Sequence, residues 1–278
     1  MNLEVFFIFL ILIYLIIASI YDIRTREIPD FLSFSLIGIA LTIALAKSIY
    51  FLTFSFIVQS LFGLLVFVIL SFFLYYTKQW GGGDAKMLMA IGAALPLYPE
   101  YLIQYFSPNL NLPFLVIFLV NLVIFGSLYA IIYSAIITFK NRKKIKSFNK
   151  SYFLFLYLSI IIFITSFFIK SYSTKLLLTA LALIMVFPFL IYFIRIFEKN
   201  FMILKIPLSK ATEGDWLAEN IYHNKKLILD KNTTGLSLQD IRKLKKLNIK
   251  IIKIKYGMPF IPSFLISFVI SIIFGNFF

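Results

Sequence analysis

Long apolar runs broken by short, mostly basic stretches set the pattern of this chain. Runs long enough to span a bilayer cover Leu3 to Ile20, Phe31 to Ala46, Phe51 to Leu74, Leu112 to Phe139, Tyr152 to Ile169, Leu176 to Ile194 and Phe260 to Phe278. About 20 apolar residues in a helix cross the ~30 Å hydrocarbon core, so each run predicts a transmembrane helix. An eighth run, Ala85 to Phe106, contains Pro96, Pro99 and Glu100 and predicts a shorter helix ending near Pro96. One stretch, from about Arg195 to Tyr256, is polar. Its short apolar runs at Met202 to Leu204, Leu227 to Leu229 and Ile249 to Ile254 read as strands. Thr233-Thr234-Gly235 reads as a turn, and Ser237 as the cap of a helix reaching about Leu247. The predicted fold is an all-α polytopic membrane protein of about six to eight transmembrane helices with a small α+β insert. Residues 1–194 form the transmembrane part, 195–257 the insert and 258–278 the last helix. At ~60 residues the insert has a marginal core and is expected to lean on the membrane part.

Composition agrees with the pattern. Apolar residues make up 61% of the 278 and charged residues 14%, which excludes a soluble globular domain. Cysteine is absent, so no disulfide, thiol nucleophile, iron-sulfur cluster or cysteine-bound zinc is available. His223 is the single histidine, which excludes a site built from several imidazoles, and neither metal nor cofactor is expected. The net charge is +15. With eight spans, the loops after the first, third, fifth and seventh hold all of the 27 Lys and Arg except Lys47, Lys170 and Lys175. By the positive-inside rule those loops and the insert face the cytoplasm and both termini face out. The charge is therefore a topological signal, with the lipid bilayer rather than nucleic acid as its partner. No Lys or Arg precedes the first run, so it reads as an anchor rather than a secretory signal.

Two acids stand apart from the rest, because each sits where a span meets the predicted cytoplasmic interface. Asp22 ends the first span in Tyr21-Asp22-Ile23-Arg24-Thr25-Arg26-Glu27-Ile28-Pro29-Asp30, where it opposes the negative end of its own helix dipole. A plain account pairs it with Arg24 or Arg26, while Asp30 reads as the N-cap of the second span. Asp84 closes Trp80-Gly81-Gly82-Gly83-Asp84-Ala85-Lys86, and its plain account is the N-cap of the helix that follows. Three glycines also allow another backbone to come close beside a carboxylate. Two carboxylates around one water cannot easily both ionise; sharing a proton, they can serve as general base and general acid in turn. That is aspartic peptidase chemistry, and it needs no metal.

These two segments resemble the two signatures of type IV prepilin peptidases, the G-x-G-D intramembrane aspartic proteases. The stretch from Leu236-Ser237-Leu238 through Lys255-Tyr256-Gly257-Met258-Pro259-Phe260-Ile261-Pro262 resembles the C-terminal part of archaeal members, among them preflagellin (prearchaellin) peptidases. The resemblance implies a catalytic pair of Asp22 and Asp84 in residues 1–194. It implies Gly81 and Gly83 as the loop that admits the scissile strand, with Lys86 beside it in an electrostatic role. The implied substrate is a membrane-embedded prepilin or prearchaellin, cut between a short basic leader and its apolar helix at the cytoplasmic face of the cell membrane. Many bacterial members carry a cysteine-bound zinc domain and methylate the new N-terminus; this chain has no cysteine, and methylation does not carry over. Archaeal members are described with about six spans, against eight runs here. Competing readings are an ion-coupled transporter or channel component with Asp22 and Asp84 as ion sites, a presenilin-type protease with acids deeper in the membrane, and a non-enzymatic assembly scaffold.

Overall fold

The computed structural model describes residues 3–145, 149–223, 225–233 and 235–276. Lys146 of the basic loop, Thr234 of the expected turn, and Phe277 and Phe278 of the last run lie outside the described residues. Each long apolar run contains a helix among the described residues: α1 (Leu3–Thr25), α2 (Asp30–Tyr50), α3 (Ser55–Tyr76), α4 (Gly82–Ala94), the single turn α5 (Ile103–Phe106), α6 (Phe114–Lys140), α7 (Tyr152–Phe167) and α8 (Tyr172–Phe197). After the insert, α10 (Ile261–Ile273) closes the described chain. Among the described residues, five helices are long and apolar enough to cross a membrane: α1, α2, α3, α6, and α8 with its continuation to Met202. The helices α7 and α10 are apolar but shorter. With 13 residues, α4 is ~20 Å long, short of the ~30 Å core. It stops at Ala94, two residues before Pro96, as its sequence predicts. The chain is a polytopic α-helical membrane protein with a small mixed insert.

One hydrophobic core joins α1, α2, α3, α4, α6 and α10, while α7 and α8 pack chiefly on each other. The arrangement is inside out relative to a soluble bundle. Leu, Ile and Phe cover the outside, whereas Ser60, Ser71, Ser263, Ser267 and Ser271 are fully buried or nearly so. Lipid tails are as apolar as Leu, so burial alone does not join helices; small residues and interhelical hydrogen bonds do. The α3–α4 contact follows that rule. Ser60 Oγ donates to the Ala93 carbonyl at 2.6 Å and Ser71 Oγ to the Ala85 carbonyl at 2.9 Å, fastening α4 at both ends. Between them Gly63 and Gly92 face one another so closely that a Cβ on either would run into the other's carbonyl. In the same way α6 holds α10: Asn121 Nδ2 donates to Ser271 Oγ and to the Gly275 carbonyl, both at 2.9 Å.

The insert has its own core of Leu208, Leu217, Leu229, Leu236, Leu244, Ile252 and Ile254. Strands β1 (Ile203–Pro207), β5 (Ile251–Lys255) and β2 (Trp216–Leu217) form an antiparallel sheet with β5 central, and β3 (Ile221–His223) pairs with β4 (Lys226–Leu229). Ile252 and Ile254 point into the core and Ile251 is exposed, so Ile251 is the extra apolar residue that blurs the alternation. The helix α9 (Leu238–Lys246) begins as predicted: Ser237 Oγ accepts the Asp240 N–H at 3.1 Å, and Asp240 accepts the Ser237 N–H at 3.0 Å. The insert touches the bundle through Lys78 Nζ, which donates to the Asn232 carbonyl at 2.5 Å.

The close α3–α4 crossing yields a first prediction. Gly92→Ala should destabilise the bundle by about 1–3 kcal/mol, because its Cβ meets the Gly63 carbonyl and the Phe67 side chain. Gly38→Ala, with nothing within 4 Å, should be neutral or stabilise by up to about 1 kcal/mol. Unfolding in mixed micelles of graded denaturing-detergent content measures both, and equal effects would refute the crossing.

Candidate active site

Asp22 sits in the last turn of α1 and is 5% exposed. Its Oδ2 accepts the N–H of Ile261, 239 positions away, at 2.8 Å. Ile261 is the first residue of α10, and the preceding Phe260 has no side chain able to cap the helix. Pro262 brings no N–H of its own. Asp22 thus supplies from another helix the cap that α10 lacks. A carboxylate that opposes the dipole of α1 lies at the favourable, positive end of α10.

Arg26 does not pair directly with Asp22. Its N–H closes the end of α1 on the Asp22 carbonyl at 3.0 Å, with φ at +59°. Its guanidinium donates to the Gly257 carbonyl at 2.5 Å and to the Tyr133 hydroxyl at 2.7 Å, and stacks 5.7 Å from the Tyr133 ring centre. Arg26 therefore ties together the end of α1, the C-terminal third of α6 and the linker into α10. The bland pairing of Asp22 with Arg26 gives way because Ile261 offers a helix terminus and Gly257 a carbonyl.

Asp84 is the third residue of α4, not its N-cap; Gly81 holds the capping position. Asp84 Oδ2 accepts the Gly81 N–H at 3.2 Å, folding the glycine loop back on the carboxylate. Asp22 lies within electrostatic reach of Asp84, so the fold brings the two acids picked from the sequence near each other. Trp80, just before the glycines, packs at 5.5 Å from the Phe260 ring and 5.4 Å from the Phe264 ring. The first turn of α10 thereby meets both Asp22 and Trp80, the residue that leads into the glycine loop.

The neighbours of the two carboxylates depart from the sequence reading at three points. Asp30 caps nothing: Pro29 is the N-cap of α2, no side chain caps it, and Asp30 pairs with Lys86 Nζ at 2.5 Å. Lys86 consequently points at α2, and the half-exposed pair is worth little in stability. The space over Gly83 is taken by Ile28, where a Cβ would lie 2.8 Å from Cδ1 and 3.1 Å from Cβ of that side chain. Gly81 and Gly82 stay open, with only Asp84 Oδ2 at 3.5 Å and Tyr75 Cε2 at 3.8 Å. Sequence reasoning missed Ile28, Trp80, Tyr133 and the α10 terminus. The available signal for the last was Phe260-Ile261-Pro262, a helix start with no capping side chain of its own.

Ile28 on Gly83 makes the two signature segments one packed unit, which a double-mutant cycle can read. Gly83→Ala should destabilise by about 1–2 kcal/mol, and Ile28→Ala should cost less in that background than alone, with a coupling of about 0.5–1 kcal/mol. Additive effects in the same micelle titration would sink the contact.

The sequence profile of the type IV leader peptidase family matches residues 9–139, which include Asp22 and Asp84. The preflagellin peptidase of Methanococcus maripaludis is 32% identical over 127 residues, 46% of this chain and 55% of that protein. The preflagellin peptidase of Methanocaldococcus jannaschii is also 32% identical over 127 residues, 46% of this chain and 54% of the relative. The preflagellin peptidase of Methanococcus voltae is 28% identical over the same length. The chain spans about half the length of the curated relatives it matches. No solved structure matches it. Over residues 9–139, the segment that carries both carboxylates, the chain is similar to the type IV leader peptidase family.

Proposed function

We propose that the chain is a membrane aspartic endopeptidase that removes the short basic leader from prepilin-like or preflagellin precursors at the cytoplasmic face, with Asp22 and Asp84 as its acid–base pair. The observation that carries this reading is that two acids from separate motifs come within electrostatic reach of each other. The relatives named preflagellin peptidases support the substrate class, beside a family profile matched over the segment that holds both acids. The cytoplasmic assignment is supported by the basic insert, which meets the carboxylate end through Lys78 and Arg26.

The chemistry follows from two carboxyls sharing one proton. The ionised member takes a proton from the attacking water as its oxygen bonds to the scissile carbonyl carbon. The protonated member gives its proton to the carbonyl oxygen, which yields a neutral tetrahedral diol. On collapse the C–N bond breaks, one carboxyl protonates the leaving nitrogen and the other recovers a proton from a hydroxyl, restoring the starting pair. Either residue can hold the shared proton at a given step. An extended substrate is needed, since a bond inside a helix is shielded by that helix; cutting at the interface asks only the helix end to open. Within this reading Gly81, together with Gly82, offers the open backbone for the substrate strand. Gly83 acts by admitting Ile28, and Lys86 acts through Asp30. An ion-coupled transporter fits less well, since such sites sit near the bilayer midplane between broken helices, whereas Asp22 lies in the last turn of α1.

Asp22→Asn and Asp84→Asn should each abolish cleavage of a co-expressed precursor, with protein abundance in the membrane nearly unchanged. Mass spectrometry of the precursor's new N-terminus reads the outcome, and normal processing by either variant in membranes lacking another such peptidase would overturn the proposal. The wild-type rate should follow a bell-shaped pH profile, falling at low pH as both carboxyls are protonated and at high pH as both ionise.

A further inference from the structure

At the end of the bundle remote from the carboxylates, the short α4 leaves space that its neighbours do not fill. A cavity of about 1320 Å³ lies there. Ile8 of α1, Ala40, Ile43 and Ala44 of α2 and Ala93 and Ala94 of α4 form its apolar depth. Glu4, Lys47, Gln59, Glu100 and Gln104 line its polar part and come from helix ends or the loop after α4. Lys47 and Glu4 are paired at 2.9 Å and keep 22% and 25% of their side-chain surface accessible. From Tyr50 to Ala40 the cavity reaches ten residues along α2, ~15 Å and half the ~30 Å core. Ser60 and Ala93, joined by the Ser60 Oγ to Ala93 carbonyl bond, are also in its lining.

Three features define the occupant. The cavity is apolar inside and polar at its mouth, so it matches an amphipathic molecule. Its extent along α2 is about one leaflet, half of what a helix crossing the membrane would need. At hydrocarbon depth an apolar cavity takes apolar groups rather than water. Its mouth carries Lys47 beside Glu4 and Glu100, which complements a headgroup bearing both a phosphate and an amine. We propose that this cavity is a binding site for one zwitterionic phospholipid of the leaflet remote from Asp22 and Asp84. Its hydrocarbon chains lie against Ala40, Ala44 and Ala93, and its phosphate lies toward Lys47.

The site is tested on the full chain reconstituted in palmitoyl-oleoyl-phosphatidylcholine vesicles, extracted into mild detergent and weighed by native mass spectrometry. The wild type should retain one lipid per chain. Ala44→Phe fills the cavity and should lower that occupancy about tenfold, with helical content and elution volume unchanged. Ala44→Leu, a smaller filler, carries the comparison if Phe disrupts the bundle. Equal lipid retention by wild type and a folded filling variant would overturn the proposal. So would a benzophenone side chain in place of Ala44 that captures a co-expressed precursor instead of lipid.

Discussion

A carboxylate buried at the end of an apolar helix persists only where donors meet it, and here the donor comes from the far end of the chain. Asp22 opposes the dipole of α1, and α10 begins at Phe260-Ile261-Pro262 with an N–H that no local side chain can take. Each defect removes the other when Asp22 accepts from Ile261. That bond fixes where α10 crosses α1. The aromatic face of α10 then determines where Trp80 and the glycine loop dock, through Phe260 and Phe264. Arg26 secures the same junction by holding Gly257 and Tyr133. The proposed catalytic pair thus depends on a helix outside residues 9–139, the segment that matches the family.

The second constraint is steric. Leu- and Phe-covered helices in lipid gain little by association, so α3 and α4 adhere through what is small and what can donate. Gly63 against Gly92 brings the backbones together, and Ser60 and Ser71 bond the carbonyls of α4 at its two ends. An extra methyl at that crossing would displace the start of α4, and Asp84 sits on its first turn. Packing near the C-terminal end of α4 therefore bears on the position of a carboxylate two turns away.

Much of this was legible before any coordinates. Backbone in lipid has to satisfy its own hydrogen bonds, so apolar runs become helices almost by necessity; even the weak run with Pro96 and Pro99 ends where the prolines say. Asp22 and Asp84 were legible as misfits, acids at span ends with glycines or opposing dipoles around them. What could not be read was pairing across the chain. Asp30 follows a proline and looks like a cap, yet Lys86 is an ionic partner that local sequence does not reveal. Gly83 looks like an opening for a substrate, and only the fold puts Ile28 over it. The strands β2 and β3 have two and three residues, too few to show an alternation. The strand β5 was visible because five residues give the pattern room to repeat.

The length of α4 links the two ends of the molecule. A helix of 13 residues cannot reach both faces of the bilayer, so its position along α3 decides which face it serves. The Ser71–Ala85 bond anchors its N-terminus near the end of α3 that leads into the glycine loop, and this puts Asp84 beside the end of α1. The same choice leaves space between the ends of α1, α2 and α3 and the segment after α4, and that space is the cavity lined by Lys47 and Glu4. Another two turns on α4 would fill it, but Pro96 and Pro99 forbid them. A carboxylate placed at one interface and a lipid-sized hollow at the other are therefore two consequences of one short helix, and the serines of α3 determine which end receives which.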